Sequence, residues 1–235
     1  MINGRLSVNK RISKYFNVPL VTYGLITLNI AVYGWMLYHY RTTESIDALI
    51  QTGAMYSPLV YLQNEWWRFI TASFIHIGFE HFIFNMITLY FLGQDIEALL
   101  GHFNFSCIYL FACVGGNLFS SLANLNVSAG ASTGIFGLFA CYIILSYLNP
   151  DSYTLKSRSI TFMTLLILQF VTGLFSVGID TWGHLGGAVY GALITLVIGP
   201  SSKEFFSQRH RIFAVFVLII LTCTLYYFGY MNTVR

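Results

Sequence analysis

The chain has 235 residues, of which 56% are hydrophobic and only 9% are charged. A soluble domain carries about 25% charged residues, so the composition excludes an ordinary soluble protein. The net charge of +3 is small and gives no support to a nucleic-acid partner. The apolar residues fall into blocks of roughly 20, the length that an α-helix needs to cross a bilayer. The sequence therefore predicts an all-α polytopic membrane protein.

Seven apolar blocks follow one another along the chain and predict seven transmembrane helices. They cover about 18–38, 79–100, 103–123, 131–148, 160–178, 181–199 and 212–230. The first block is too long for a signal peptide, and no small-residue cleavage pattern follows it. The four cysteines, all inside predicted helices, match neither metal-ligand nor disulfide spacing, so we expect them to pack as small apolar residues.

The distribution of Lys and Arg predicts the orientation of the helices. If the N-terminus is cytoplasmic, nine of the 12 basic residues lie inside and only Arg41, Arg68 and Arg235 lie outside. This asymmetry follows the positive-inside rule. We therefore expect the basic residues to set the topology and to contact anionic membrane lipid. We therefore expect a cytoplasmic basic tail over 1–17, a six-helix core over 18–199, and a cytoplasmic loop with one additional transmembrane helix over 200–235.

Polar side chains lie at the outer ends of three predicted helices. In the predicted orientation the second, fourth and sixth helices all begin at the outer face. His81 and Asn85 lie in the first turns of the second helix, Ser132 starts the fourth, and His184 lies in the first turn of the sixth. Polar groups in a membrane segment are costly and usually functional. We expect these four side chains to meet at one depth.

The spacing within the helices favours this convergence. His81 and Asn85 are four positions apart and share a helix face. Gly187 and Gly191 share a face with His184, and glycines allow a neighbouring helix to approach closely. Close approach of the fourth and sixth helices would bring His184 within reach of Ser132. A serine nucleophile needs its base in that position.

The fourth helix is short for a membrane span. From Ser132 to Leu148 it has 17 residues, about 25 Å, whereas the hydrocarbon core is about 30 Å thick. We expect Ser132 to be recessed and the segment 124–130 to dip into the protein. Non-helical backbone at that depth requires a water-filled cavity or protein around it. Such a cavity would supply the water for hydrolysis.

Five short motifs stand in order on these segments. They are Trp67-Arg68 in the first outer loop, His81-x-x-x-Asn85, Gly93-x-x-x-Glu97-x-x-x-Gly101, Gly130-x-Ser132-x and His184-x-x-Gly187-x-x-x-Gly191. Together they resemble the motifs of the rhomboid family of intramembrane serine proteases. The resemblance spans roughly residues 18–199 and implies a rhomboid-like six-helix bundle, here with a seventh transmembrane helix. Thr133 departs from the glycine that many members carry after the serine. We expect this departure to bear on catalytic rate and substrate preference more than on reaction type.

The resemblance also implies the roles of the site residues. Ser132 and His184 are the expected catalytic dyad, and the Ser132 N–H, His81 and Asn85 are the expected oxyanion donors. Phe136 stands where the family often has an aromatic ring packed against the catalytic histidine. The expected activity is hydrolysis of single-span transmembrane proteins near the outer membrane face, without a cofactor or metal, in a bacterial plasma membrane.

The remaining candidates receive structural roles. Trp67 and Arg68, with Trp66, are expected to anchor the outer loop at the membrane interface. Glu97 is expected to hold backbone or a neighbouring helix, and Asp180 to cap the sixth helix rather than complete a triad. Gly130, Gly187 and Gly191 belong to the structural motifs. The other histidines are assigned no role; they are His39, His76, His102 and His210.

Other chemistries lack their residues in the sequence. There is no H-E-x-x-H zinc motif and no facing pair of mid-membrane carboxylates for an aspartyl mechanism. A transporter is also disfavoured, because the sequence lacks such carboxylates and shows no inverted repeat. One alternative is a catalytically inactive rhomboid-like protein that binds and escorts membrane clients. Such relatives typically lack the serine or the histidine, and this chain has both.

Overall fold

The computed structural model describes residues 18–123, 126–175, 179–199 and 207–235. Seven long helices, numbered α1 to α7, run through these residues. They are Leu20–Tyr40, Phe79–Leu100, His102–Ala123, Ser132–Leu148, Tyr153–Phe175, Thr181–Ile198 and Gln208–Val234. The predicted tail over 1–17 lies outside the described residues. So do parts of three other predicted segments, at 124–125, 176–178 and 200–206.

Five of the described helices are long and apolar enough to cross a membrane. They are Leu20–Tyr40, Phe79–Leu100, His102–Leu122, Thr181–Ile198 and Gln208–Val234. Ser132–Leu148 is a shorter apolar helix of 17 residues. The prediction of an all-α polytopic membrane protein is confirmed.

Helix α4 occupies the centre of the bundle. It packs against α3, α5 and α6, and most of its residues are buried. A helix surrounded by other helices must be apolar on all sides, and α4 contains only apolar, small and hydroxyl-bearing residues. The first turn of α4 is thereby held inside protein rather than lipid.

Glycines set the separation between α4 and α6. A Cβ added to Gly191 would lie 2.3 Å from the Gly137 Cα, and one added to Gly187 would lie 2.1 Å from the Thr133 carbonyl oxygen. Neither distance leaves room for a side chain. The two backbones are therefore in direct contact along the face that carries His184.

The loop between α1 and α2, which we call the outer loop after the predicted orientation, contains three short helices and a 3₁₀ turn that we did not predict. Inner and outer ends of helices are named in the same way. They are Ile46–Thr52, Ser57–Leu62, Arg68–Thr71 and Ala72–Phe74. Arg68 is buried, donating hydrogen bonds to the carbonyl oxygens of Ile50 and Ala54 and pairing with Glu65. It therefore fastens the loop from inside, while Trp66 and Trp67 stay exposed.

Glu97 joins the inner ends of α1 and α2. Its carboxylate accepts hydrogen bonds from the backbone N–H groups of Val21 and Thr22, both at 2.8 Å, and from the Thr22 hydroxyl at 2.6 Å. His102, to which we assigned no role, contacts the same carboxylate through Nδ1. A buried carboxylate with this many donors is a structural anchor.

Candidate active site

Ser132 and His184 are hydrogen-bonded across the contact between α4 and α6. The Ser132 Oγ lies 2.9 Å from the His184 Nε2. Ser132 is the first residue of α4, and the close glycine contacts below it bring the first turn of α6 alongside. The distance is that required between a nucleophile and its general base.

Phe136 orients the imidazole of His184. The two rings stack with centroids 4.1 Å apart and planes inclined by 11°. Phe136 follows Ser132 by one helical turn, so the same face of α4 carries Ser132 and the ring that stacks on His184. In the described part of the chain, the His184 Nδ1 has no hydrogen-bond partner. Stacking therefore supplies an orientation that a third, acidic member supplies in a triad.

Asp180 caps α6 and holds the loop before Ser132. One of its carboxylate oxygens accepts the Gly183 N–H at 2.9 Å, and the other accepts the Ser128 hydroxyl at 2.6 Å. The cap is the role that we predicted for Asp180. We did not predict the second bond, which ties the start of α6 to the segment that precedes Ser132.

The segment before Ser132 is fixed to the outer loop by backbone hydrogen bonds. Ser128 exchanges two bonds with Met55, at 2.8 and 3.0 Å, and the Gly130 N–H donates to the Ala72 carbonyl at 3.0 Å. Gly130 has a φ of +145°, and a Cβ there would lie 2.6 Å from the His81 Cε1 and 3.5 Å from the Ser132 Oγ. Only glycine suits this conformation and this space.

His76 is a site residue that we did not predict. It is fully buried, and its Nε2 accepts the Ala131 N–H at 3.3 Å. Its ring centroid lies 5.4 Å from that of His81. Burial lowers the pKa of His76 to about 3, and the nearby His81 adds to this shift. In the sequence, this position is indicated only by Gly78, which lies between His76 and His81. Gly78 has a φ of +75° and turns the chain into α2.

A cavity of about 650 Å³ opens at the outer end of α4. The four polar side chains predicted to converge all line it; they are His81, Asn85, Ser132 and His184. Asn85 donates one amide hydrogen bond to the His81 carbonyl at 2.8 Å, and an amide carries two N–H donors. The volume suits a short peptide segment with water.

Comparison with known proteins is consistent with this arrangement. The model of the Rhomboid domain matches residues 63–201, more than half of the chain. The chain belongs to the rhomboid family. The matched region contains α2 to α6 with all of the cavity's polar side chains, while α1 precedes it and α7 follows it. Rhomboid membership and the apolar helices make the protein an integral, multi-pass membrane protein.

Several rhomboid relatives resemble the chain over most of its length. Rhomboid protease GluP of Bacillus subtilis (strain 168) is 29% identical over 211 residues, covering 90% of this chain and 41% of the relative. Rhomboid protease AarA of Providencia stuartii is 29% identical over 202 residues, covering 75% and 71%. RHOMBOID-like protein 1 of Arabidopsis thaliana is 34% identical over 171 residues, covering 69% and 42%. The chain thus spans less than half the length of two of these rhomboid relatives.

Proposed function

We propose that this rhomboid-family protein is an intramembrane serine protease whose nucleophile is Ser132 and whose general base is His184. The observation that carries the proposal is the 2.9 Å contact between the Ser132 Oγ and the His184 Nε2 at the floor of a cavity. The proteases named among its relatives support the same reaction class.

The geometry supports acyl transfer in two steps. The His184 Nε2 accepts the Ser132 proton as the Oγ attacks the peptide carbonyl carbon, so the neutral ring carries its own proton on Nδ1. The ring then gives the accepted proton to the leaving amine, which breaks the C–N bond and leaves an ester on Ser132. A water molecule, deprotonated by His184, attacks the ester and releases the acid and the free serine.

Three donors are available for the oxyanion. The Ser132 N–H lies at the first position of α4, where helical N–H groups have no partner within the helix and the dipole is positive. The His81 ring and the second N–H of the Asn85 amide line the same cavity. Loss of one such donor typically costs about 3–4 kcal/mol of transition-state stabilisation.

The short α4 explains how water reaches the serine. Its 17 residues extend about 25 Å, less than the hydrocarbon thickness of about 30 Å. If the inner end of α4 is level with the cytoplasmic face, Ser132 lies below the outer surface, at the floor of the cavity. The positive-inside distribution of Lys and Arg supports an outer position for this end of the bundle and a cytoplasmic N-terminus. We propose a bacterial plasma membrane as the location.

The substrates that fit this site are single-span membrane proteins cut near their outer ends. A scissile bond inside a stable helix is shielded by backbone hydrogen bonding, so it must unwind before it reaches Ser132. Glycine or other helix-weakening residues near that bond make unwinding easier. The proposed core over 18–199 contains all the residues of this mechanism, while the tail over 1–17 and the segment 200–235 flank it.

The proposal is tested by cleavage of a tagged transmembrane substrate in liposomes with a metal chelator present. We expect the wild type to cleave, and Ser132→Ala and His184→Ala each to lose at least about 1,000-fold of the rate while retaining the wild-type unfolding temperature. Ser157→Ala, at an exposed position on α5, serves as the matched control. Cleavage by a folded Ser132→Ala variant contradicts the proposal, and a wild type that binds substrate but never cleaves it identifies an escort protein instead.

A further inference from the structure

Thr133, the departure from the glycine of many rhomboid proteins, has a buried and hydrogen-bonded side chain. It is 4% exposed, and its Oγ1 lies 3.2 Å from the Ser73 Oγ. Gly116 on α3 leaves the necessary space, since a Cβ there would lie 2.6 Å from the Thr133 Cβ. The extra methyl and hydroxyl are therefore accommodated by specific neighbours.

Ser73 connects Thr133 to a longer chain of buried hydrogen bonds. Ser73 lies in the 3₁₀ turn Ala72–Phe74 and is fully buried. Asn117 on α3 donates to the Ser73 Oγ at 3.2 Å and to the Phe69 carbonyl at 2.9 Å. Helix α4, the outer loop and α3 are thus linked through side chains that are almost fully buried, where a hydrogen bond is costly to break.

Ser132 is bracketed by two bonds to consecutive residues of the outer loop. On its N-terminal side the Gly130 N–H bonds the Ala72 carbonyl at 3.0 Å. On its C-terminal side the Thr133 hydroxyl bonds the Ser73 hydroxyl. A glycine at 133 has no side chain to make the second bond. The loop would then hold the nucleophile from one side only.

We propose that Thr133 is a positioning residue, which acts through Ser73 and Asn117 to hold Ser132 in register with His184. The proposal rests on the function proposed above. A displacement of the nucleophile by a fraction of an ångström weakens attack without weakening substrate binding, so the link sets the rate of the chemical step. Because Thr133 and Asn117 also line the cavity, a role in substrate contact is the competing explanation, and it predicts an effect on KM.

The test separates these roles by steady-state cleavage kinetics in liposomes. Thr133→Val keeps the β-branched shape and removes the hydroxyl, whereas Thr133→Ser keeps the hydroxyl. We expect Thr133→Val to lower kcat roughly 3- to 10-fold, as for loss of one buried hydrogen bond, with KM changed less than twofold. Thr133→Ser should retain more than half of the wild-type kcat. A fall in cleavage that resides in KM overturns the proposal, as does an unchanged kcat in Thr133→Val.

Ser73→Ala tests the same link from the other partner and leaves the cavity lining intact. It should lower kcat at least as much as Thr133→Val does, because the Ser73 Oγ also accepts the hydrogen bond from Asn117. The double variant should be no slower than Ser73→Ala alone, because both single changes remove the bond between Thr133 and Ser73. Rate losses that multiply in the double variant contradict the link. If the wild type cleaves and Ser132→Ala does not, a negative result here refutes the role of Thr133 alone. If Ser132→Ala cleaves, the proposed function itself has failed.

Discussion

Helix α2 carries a buried polar site at each end, and the two differ in how far their hydrogen-bonding capacity is used. At the inner end the Glu97 carboxylate accepts three hydrogen bonds from α1 and one contact from His102. At the outer end, His81 and Asn85 face a cavity of about 650 Å³ together with Ser132 and His184. Within the described residues, the His184 Nδ1 is without a partner.

The two ends of this helix thus differ in whether their polar groups are engaged within the protein or face a cavity. A carboxylate whose oxygens are all engaged stabilises the fold and has nothing left to offer a substrate. Donors that face a cavity can still bind a substrate. A donor without a protein partner lowers the stability of the fold, because a buried polar group is costly unless it is hydrogen-bonded. We infer that the inner site holds α1 and α2 together, and that the outer site uses its free donors in the reaction.

The largest stability effect is expected at Glu97. Glu97→Gln replaces a carboxylate oxygen by an N–H₂ group, which then faces donors from α1. We expect the free energy of unfolding to fall by about 3 kcal/mol, since buried donors lose their acceptor. Thermal unfolding in detergent measures this loss, and kcat below the unfolding temperature should stay within twofold of wild type.

The matched control is Asp95→Asn, two positions earlier on the same helix. Asp95 pairs with Arg158, but their side chains are 26% and 52% exposed. An exposed ion pair contributes about 0–1 kcal/mol, so this change should hardly move the unfolding temperature. Equal losses of stability at the two positions would show that the hydrogen bonds to the Glu97 carboxylate are not what stabilises the inner end of α2.

An effect of intermediate size is expected for His76 under acidic conditions. Its pKa of about 3 in the folded protein lies below the ordinary value of 6.5. As the pH falls below 6.5 the unfolded chain takes up the proton first, so stability decreases towards pH 3. By pH 5 the loss should reach about 2 kcal/mol.

His76→Gln keeps an acceptor for the Ala131 N–H and removes this titration. Unfolding measured from pH 7 to 4.5 should therefore decline less steeply in the variant than in the wild type. Parallel pH profiles for the two proteins would mean that the buried ring does not contribute to acid sensitivity.

The smallest effect is expected at Phe136. Phe136→Leu removes the ring stacked on His184 and should lower kcat roughly fivefold, because such a stacked pair contributes about 0.5–1.5 kcal/mol. Phe139→Leu is the control, since Phe139 is equally buried on α4 and packs on Phe136 and Phe162. Both variants should lose stability, but only the first should lose rate. If the two variants had the same kcat, Phe136 would have no role in the active site beyond packing.

The sequence predicts the helices well because apolar block length is a direct consequence of bilayer thickness. The start of α4 at Ser132 and the start of α6 at Thr181 agree with the predicted blocks to within one residue. The beginning of α5 was predicted at about 160 and lies at Tyr153. The helix continues through a polar turn containing Lys156 and Arg158, which hydropathy does not count as part of a span.

The site was predictable only in part. His81 and Asn85 share a helix face with regular spacing, and the glycines after His184 indicated close approach to α4. The contributions of His76, Ser73 and Asn117 depend on how the outer loop folds back onto α3 and α4. That loop is built from short helices of four to seven residues, too short for a periodic pattern to identify a buried face.

The most direct test of the central claim is covalent labelling with a fluorophosphonate, which bonds an activated serine oxygen and releases fluoride. Mass spectrometry of the labelled protein should place the adduct on Ser132, with labelling abolished in Ser132→Ala and strongly slowed in His184→Ala. Folded Glu97→Gln should label at close to the wild-type rate. An adduct on another serine, or undiminished labelling in His184→Ala, would contradict the account.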